Sequence, residues 1–434
     1  MVPSRKSGPD AVAAALGSFL EQHPEFTALR VAFSGGRDST VLLHALAALR
    51  PGCALIPVHV HHGLHPQADA QAAHCLRVAS GLGLRCEIRT IRIPDRPEEG
   101  VEAAARHLRY QALAEGTGPK DCVLAAHHAT DQAETFLLAA LKGSGPTGLA
   151  AMPSLRRLGA GWLARPLLAV SDRAITAYAG RHRLDWVEDP TNLDLRFDRN
   201  FVRHELLPVL SGRFPVERRL GVAASLQAEV IGVLDGLLDP LLDKLIGPLT
   251  ETLDLAGFLS HPEERRPWLL RRFIVRCGAR APRRAPLLEF LRQLVEAKAE
   301  ARPVLNWDGL SLRIHQGVLY LVRDQETAPL AMAGATFDWL PGAENMLLPD
   351  GTMVSAMQLQ SAGVANTHGV QICFRQGGEW VRLPDGRRRT LKSLMQERGI
   401  PPWLRSRIPL VRVRGELVAV LWTQDPGVHQ RPPN

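Results

Sequence analysis

An α/β fold is predicted: a doubly wound parallel sheet in the N-terminal domain, then a helical middle domain and a small α+β C-terminal domain. Three observations carry this. Over the first 200 residues strand-like and helix-like runs alternate, the pattern of a parallel sheet with crossover helices. The first strand-like run ends in paired glycines and a helix start, Val31-Ala32-Phe33-Ser34-Gly35-Gly36-Arg37-Asp38-Ser39-Thr40. From about Pro215 the alternation stops and leucine-rich helical runs take over. A chain of 434 residues suggests two or three domains. Their boundaries are expected at 1–214, 215–325 and 335–434, with Gln325–Gly334 as a linker.

Strands are expected over Leu29–Phe33, Leu55–Val60, Cys86–Ile91 and Cys122–Ala126. Between them, Thr40–Leu49 places Leu42, Leu43, Leu46 and Leu49 on one helical side. Ala68–Ser80 and Val101–Ala114 continue the pattern. Pro57 lies inside the second strand without an N–H, so it must fall where no ladder donor is needed. Further on, Leu226–Leu245, Pro267–Cys277 and Pro286–Ala299 read as helices. A hairpin of Leu310–His315 and Val318–Val322 follows, turning at Gln316-Gly317. In the last domain Val370–Phe374 and Leu417–Leu421 read as strands around a helix capped by Thr390 and stopped by Gly399 and Pro401.

Composition narrows the function classes. A hydrophobic fraction of 45% with 22% charged residues suits a globular chain. No stretch approaches a membrane span, and the N-terminus does not resemble a secretory signal. Six cysteines (Cys53, Cys75, Cys86, Cys122, Cys277, Cys373) are scattered without a C-x-x-C pair. That argues against structural zinc or an iron–sulfur site and fits a reducing cytoplasm. The net charge of +8 is uneven. Glu263–Arg284 carries eight arginines against two glutamates, and Val381–Arg407 seven arginines and one lysine against Asp385 and Glu397. Each stretch is +6, which leaves −4 for the remainder and suits a polyanionic partner.

Chemistry-bearing segments begin at strand C-terminal ends, where sheets of this kind bind ligands. Gly35 and Gly36 let the backbone approach a ligand closely, and the N–H groups of the helix start favour an anion. Ser34 and Ser39 add hydroxyls, and Asp38 offers a carboxylate for Mg2+ or for the helix start. No Gly-Lys-Ser/Thr follows, so the loop is not of the Walker type. It resembles the pyrophosphate-binding loop, Ser-Gly-Gly-x-Asp-Ser, of enzymes that split ATP into AMP and pyrophosphate.

The second strand ends in His59-Val60-His61-His62-Gly63-Leu64. No third cluster completes a zinc set, so these histidines read as polar lining of a nucleotide cleft. The fourth strand leads to His127-His128-Ala129-Thr130-Asp131-Gln132-Ala133-Glu134. Asp131 and Glu134 share a helix face, which is also a capping pattern. With His127, His128 and Asp38 close by, catalysis is the better reading: the carboxylates orient an ammonium, bind Mg2+ or accept a proton. Arg106, Arg109 and Tyr110 lie on one helical side, where guanidinium forks suit phosphate. The turn Trp186–Asn192 leads to Arg199 and Arg203, again two forks four residues apart.

Taken in order, Ser-Gly-Gly-x-Asp-Ser, His-Val-His-His-Gly-Leu, Ala-Arg-x-x-Arg-Tyr, His-His-x-x-Asp-Gln-x-Glu-Thr, Gly143-Ser144-Gly145 and Trp-Val-Glu-Asp-Pro…Arg-Asn resemble the tRNA(Ile)-lysidine synthase family. The C-terminal runs Arg375-Gln376-Gly377-Gly378-Glu379, Leu391-Lys392-x-Leu394 and Pro401-Pro402-Trp403-Leu404-Arg405 agree with it. One departure is Thr130, where the family usually has the first of two acids. The resemblance implies an adenine nucleotide α-hydrolase-like catalytic domain and two tRNA-binding domains. It also implies a cytoplasmic ATP-dependent ligase with Mg2+, acting on free L-lysine and the CAU-anticodon isoleucine tRNA. It places no membrane among the partners and leaves a homodimer open.

By the same resemblance Asp38, Arg106, His127, Asp131, Glu134 and Arg199 are catalytic. ATP falls to Ser34, Gly35, Gly36, Arg37, Asp38, Ser39, His59, His61 and Arg109, and Mg2+ to Asp38. Lysine falls to Asp131 and Glu134, and tRNA to Arg203, Arg387, Arg388, Arg389, Lys392 and Arg405. The base that deprotonates lysine stays open between His127, His128 and the carboxylates. A tRNA 2-thiolation enzyme with the same loop is the alternative.

Overall fold

The computed structural model describes residues 10–61, 63, 68–92, 101–188, 194–247, 251–296, 302–324, 335–340, 342–349, 352–364, 368–382 and 387–422. The expected linker 325–334, His62, Leu64 and turn positions 189–192 lie outside the described residues. The chain divides into two compact units, Met1–Val233 and Leu234–Asn434.

The first unit runs α1 (Ala11–Gln22), β1 (Ala28–Ala32), α2 (Arg37–Leu49), β2 (Ala54–His61), α3 (Ala68–Gly81), β3 (Glu87–Thr90), α4 (Val101–Ala114) and β4 (Asp121–Leu124). It continues with α5 (Ala129–Leu141), α6 (Pro146–Leu149), β5 (Leu155–Leu158), β6 (Gly161–Ala164) and α7 (Asp172–Arg181). It closes with α8 (Asp198–Phe201), α9 (Leu207–Ser211) and the start of α10 (Val216–Leu242). The strands form one sheet in the order β3-β2-β1-β4-β6-β5. All neighbours are parallel except β5 and β6.

Alternate residues of a strand face opposite sides, and both sides here are apolar. Cys122 and Leu124 of β4 join Leu29 and Val31 against Leu16 of α1, Leu42 of α2 and Ile175 of α7. Val123 joins Val58 and Leu163 on the other face, with Leu113 of α4. This is the doubly wound arrangement the alternation predicts. Pro57 costs nothing. Ala54 N donates to Thr27 O and Phe33 N to Val58 O, so even-numbered positions of β2 face β1. Pro57 therefore faces the β3 side, where pairing starts only at Val58. After β3 the chain crosses to β4 on the far side of β1, so the loops after β1 and β4 open at a topological switch point.

In the second unit, β7 (Thr252–Asp254), α11 (Leu255–Ser260), α12 (Arg266–Arg276) and α13 (Arg284–Glu296) precede β8 (Leu305–Trp307), β9 (Leu310–His315) and β10 (Val318–Arg323). The sheet β7-β10-β9-β8 packs Leu312 and Leu319 against Phe273 of α12 and Phe290 of α13. Gln316 and Gly317 both have positive φ (48° and 76°), as a two-residue hairpin turn requires. Then come β11 (Thr336–Asp338), β12 (Asn345–Leu347), β13 (Met353–Ser355), β14 (Val370–Cys373), β15 (Trp380–Arg382), β16 (Arg388–Thr390), β17 (Leu410–Val413) and β18 (Glu416–Val420). β11-β14-β17-β18 form one sheet, and Thr390 caps the helix Leu391–Glu397 as expected. Trp403 stands edge-on to His315 and Tyr320, with ring centroids 6.1 and 5.5 Å away.

One expectation needs correcting. α10, with mean hydropathy 1.4 over its most apolar window, is long and apolar enough to cross a membrane by length and composition. It also carries Asp235 and Asp239, both ion-paired to Arg272 at 2.7 Å.

Candidate active site

The loop after β1 enters α2 with Gly36 as N-cap and no side-chain cap. Gly35 has φ +83°, and a Cβ there would lie 2.9 Å from Cys75 Sγ, so α3 leaves room only for glycine. The loop is held from two sides: Gln71 Nε2 donates to Ser34 O at 2.8 Å, and Val187 N donates to Gly35 O at 3.0 Å. Ser34 and Ser39 hydroxyls are 3.1 Å apart. His59 is buried beneath the loop, its Nδ1 2.9 Å from Phe33 O and 3.3 Å from Cys75 Sγ. His59 thus braces the loop rather than lining a cleft, which corrects its sequence reading. His61 Nε2 lies 3.0 Å from Asp69 Oδ1.

Asp38 accepts from Arg37 Nε at 2.8 Å and lies 3.5 Å from His128 Nε2. Arg37 also reaches Thr176 Oγ1 at 3.0 Å and pairs with Asp172, tying α2 to α7. Burial works to raise the Asp38 carboxyl, but the hydrogen bond and charge of His128, with Arg37, outweigh it and hold it below the ordinary value. Asp38 is ionised at neutral pH. Burial works to lower His128, yet its hydrogen bond to Asp38 and the charges of Asp131, Asp38 and Asp172 raise it.

His128 caps α5, and Asp131 accepts from His128 N at 3.0 Å, so the capping pattern is realised alongside the clustering. Glu134 is fully buried. Arg199 Nε donates to its Oε2 at 2.7 Å, and Arg203 bonds both of its oxygens. The same arginines meet Asp131 Oδ1 at 2.7 and 3.0 Å. Two carboxylates and two guanidiniums therefore close a ring of charge-assisted bonds. Arg203 sits in a π-helical turn, Val202–Leu206, a feature frequent at functional sites. Val202 and Leu207 pack on Ala133 of α5, which presses this turn onto the acids.

Arg106, Arg109 and Arg156 place their guanidinium carbons 5.4, 6.0 and 5.2 Å from the Tyr110 ring centroid. Three guanidiniums gathered around one ring concentrate positive charge that suits phosphate. Arg165 is buried next to it and donates Nε to His127 Nδ1 at 3.2 Å.

The basic stretches are less free than their charge count suggests. Arg272 and Arg276 are paired with Asp235, Asp239 and Asp243. Arg387, Arg388 and Lys392 are exposed. Arg389 pairs with Glu397 at 2.8 Å, and Arg405 is buried with its Nε donating to Ile400 O at 2.9 Å.

The motifs did not reveal Cys75, Gln71, Arg165, Asp172 or Thr176, because each acts through contacts made across the fold. Val187 was inside a recognised motif, but its role is a backbone hydrogen bond that no side chain announces.

A glycine loop opening a helix at the switch point, beside an ionised aspartate and clustered arginines, defines a PP-loop nucleotide-binding domain. The family described as PP-loop domain matches residues 10–210, the TilS substrate binding domain matches 253–320, and the TilS substrate C-terminal domain matches 370–425. The chain belongs to the tRNA(Ile)-lysidine synthase family, a family of ATP-dependent tRNA-modifying ligases. The tRNA(Ile)-lysidine synthase of Alkalilimnicola ehrlichii is 41% identical over 90% of this chain and 88% of its own length. That of Methylococcus capsulatus is 39% identical over 92% of each chain, and that of Coxiella burnetii 37% over 90% and 88%. Thr130 donates to the carboxylate of Glu217 on α10, so a carboxylate stands beside this position.

Proposed function

We propose that this chain ligates free L-lysine to C2 of the wobble cytidine in the CAU-anticodon isoleucine tRNA, switching codon reading from AUG to AUA. The observation that carries this reading is the closeness of the loop carboxylate, Asp38, to the Asp131–Glu134 pair through His128, which is 3.5 Å from Asp38 and 3.7 Å from Asp131. The C2 carbonyl oxygen attacks the α-phosphorus of ATP, the α–β bond breaks, and pyrophosphate leaves. The lysine side-chain amine, having lost a proton, attacks C2, the C2–O bond breaks, and AMP leaves. An amide-like oxygen is a poor leaving group, and adenylation makes it a good one.

Charge growing on the phosphates is met by the loop N–H groups, Arg106 and Arg109. Mg2+ characteristically binds through one or two carboxylates together with substrate phosphates. The ionised, partly exposed Asp38 fits that mode and would hold it, and the ion would supply charge neutralisation to pyrophosphate. A lysine ammonium reaching Asp131 and Glu134 has to take over oxygens now bonded by Arg199 and Arg203. Displacement leaves those guanidiniums free to face phosphate.

Segments 215–325 and 335–434 are read as tRNA-binding domains of a cytoplasmic enzyme. Arg387, Arg388 and Lys392 are the best placed to contact tRNA, whereas the inward Arg405 serves the local fold. Neutralising Arg387–Arg389 should raise the tRNA Michaelis constant and reduce its salt slope, because each lost phosphate contact removes about one released counterion. Unchanged tRNA kinetics would remove this patch from the reading.

The decisive experiment measures AMP release with purified tRNA, testing each amino acid in turn. Release dependent on lysine is expected. Release that ignores lysine, or that needs a sulfur donor, would overturn the reading in favour of 2-thiolation. Thiol chemistry is disfavoured by the cysteines themselves: burial pushes Cys75, Cys122 and Cys277 up to about 12 and Cys86 to about 11.

A further inference from the structure

His127 sits just beyond β4, half-buried, between groups from four elements: Asp131 on α5, Arg106 on α4, Arg199 on α8, and Arg165 just after β6. Its Nδ1 receives the Nε–H of Arg165 at 3.2 Å. A guanidinium has donors only and does not deprotonate. The Nδ1 of His127 must therefore present its lone pair, and the proton of the neutral ring belongs on Nε2.

Arg165 cannot turn away. It is 4% exposed, and its Nη1 donates to Pro153 O at 2.7 Å. Among the described residues the His127 Nε2 makes no hydrogen bond. We infer that Arg165 is a positioning residue that locks His127 in the Nε2–H tautomer, making it a hydrogen-bond donor to the reacting nucleotide instead of the base that deprotonates lysine. This rests on the proposed reaction and assigns His127 its part in it.

Protonating His127 would set an imidazolium N–H against a guanidinium N–H. Burial, with the charges of Arg165, Arg199 and Arg106, lowers His127 to about 3 despite Asp131. A neutral imidazole held this way stabilises negative charge on oxygen by donation. The sign of its pH dependence follows. Below about 6.5 the unfolded chain binds a proton that the folded chain refuses, so this site subtracts stability as pH falls from there toward 3.

Nitrogen-15 NMR of the histidines in the full chain tests the tautomer without any substrate. His127 should show a protonated Nε2 and an unprotonated Nδ1 from pH 5 to 9. Arg165→Lys, which keeps a donor, should preserve this state, and Arg165→Met should give mixed tautomers that titrate. In AMP-release assays, His127→Gln retains an N–H near the Nε2 position but cannot act as a base. It should stay within about tenfold of the parent, while His127→Ala loses about a hundredfold or more in kcat. A His127 that titrates near neutrality in the parent chain, or a glutamine variant as inactive as the alanine variant, would overturn the inference. Were the chain inactive with lysine while the Nε2–H tautomer was present, the proposed reaction would fail and the Arg165 lock would stand.

Discussion

Asp38→Asn will reduce AMP and pyrophosphate formation by roughly three orders of magnitude, at the upper end for one lost electrostatic contact in a reaction that develops phosphate charge. The substitution keeps shape and removes charge. It deprives the nucleotide side of its ionised carboxylate and leaves Arg37 with Asp172 as its carboxylate partner, beside Thr176. Binding of tRNA, measured by filter retention, should change little, because none of the proposed tRNA contacts touches Asp38. Parallel loss of tRNA binding and of thermal stability would mean that the loop carboxylate is chiefly structural. A variant with near-normal pyrophosphate release would remove Asp38 from the chemistry.

Glu134→Gln will destabilise the first unit by about 3 kcal/mol, the low end of the range for breaking a buried ion pair by removing one partner. The glutamate is fully buried and holds two arginines. The low end applies because Arg199 and Arg203 are each about a third exposed and keep Asp131 as a partner. For a unit this size the midpoint of its thermal transition should fall by about 6–12 °C, followed by circular dichroism or calorimetry. Pairing Glu134→Gln with Arg203→Met should recover part of the loss, since fewer unbalanced charges remain. An unchanged midpoint would show that the ring of acids and guanidiniums is solvated in solution. Lysine-dependent AMP release should fall further than stability alone explains if Glu134 also receives the substrate ammonium.

The four strands and three helices expected up to residue 126 were legible because their apolar residues recur at strand or helix spacing between turn signals. The hairpin β5–β6 was not. Its strands are four residues long, and Arg156 and Arg157 break any alternation in the first. The middle segment showed its helices and the β9–β10 hairpin, but β7 and β8 are three residues each and are strands by virtue of pairing, β7 chiefly with β10 far along the chain and β8 with β9. Basic runs were legible as charge and illegible as surface. Arg272 and Arg276 meet their acids on α10 and just after it, more than 30 residues upstream, and no local pattern announces it.

The site divides the same way. Ser34–Ser39 and the His127–Glu134 segment could be recognised as sequence, because a tight glycine turn and a helix start dictate which residue types they accept. Sequence alone therefore determined the fold class, the phosphate loop and the order of motifs that marks the family. Tertiary structure decided which groups are free to act. It turned His59 into a brace, filled Asp131 and Glu134 with Arg199 and Arg203, and put Arg165 against His127. Backbone propensity and hydrophobic spacing are local and can be read along the chain. Charge pairing, tautomer and burial depend on neighbours that only folding brings together.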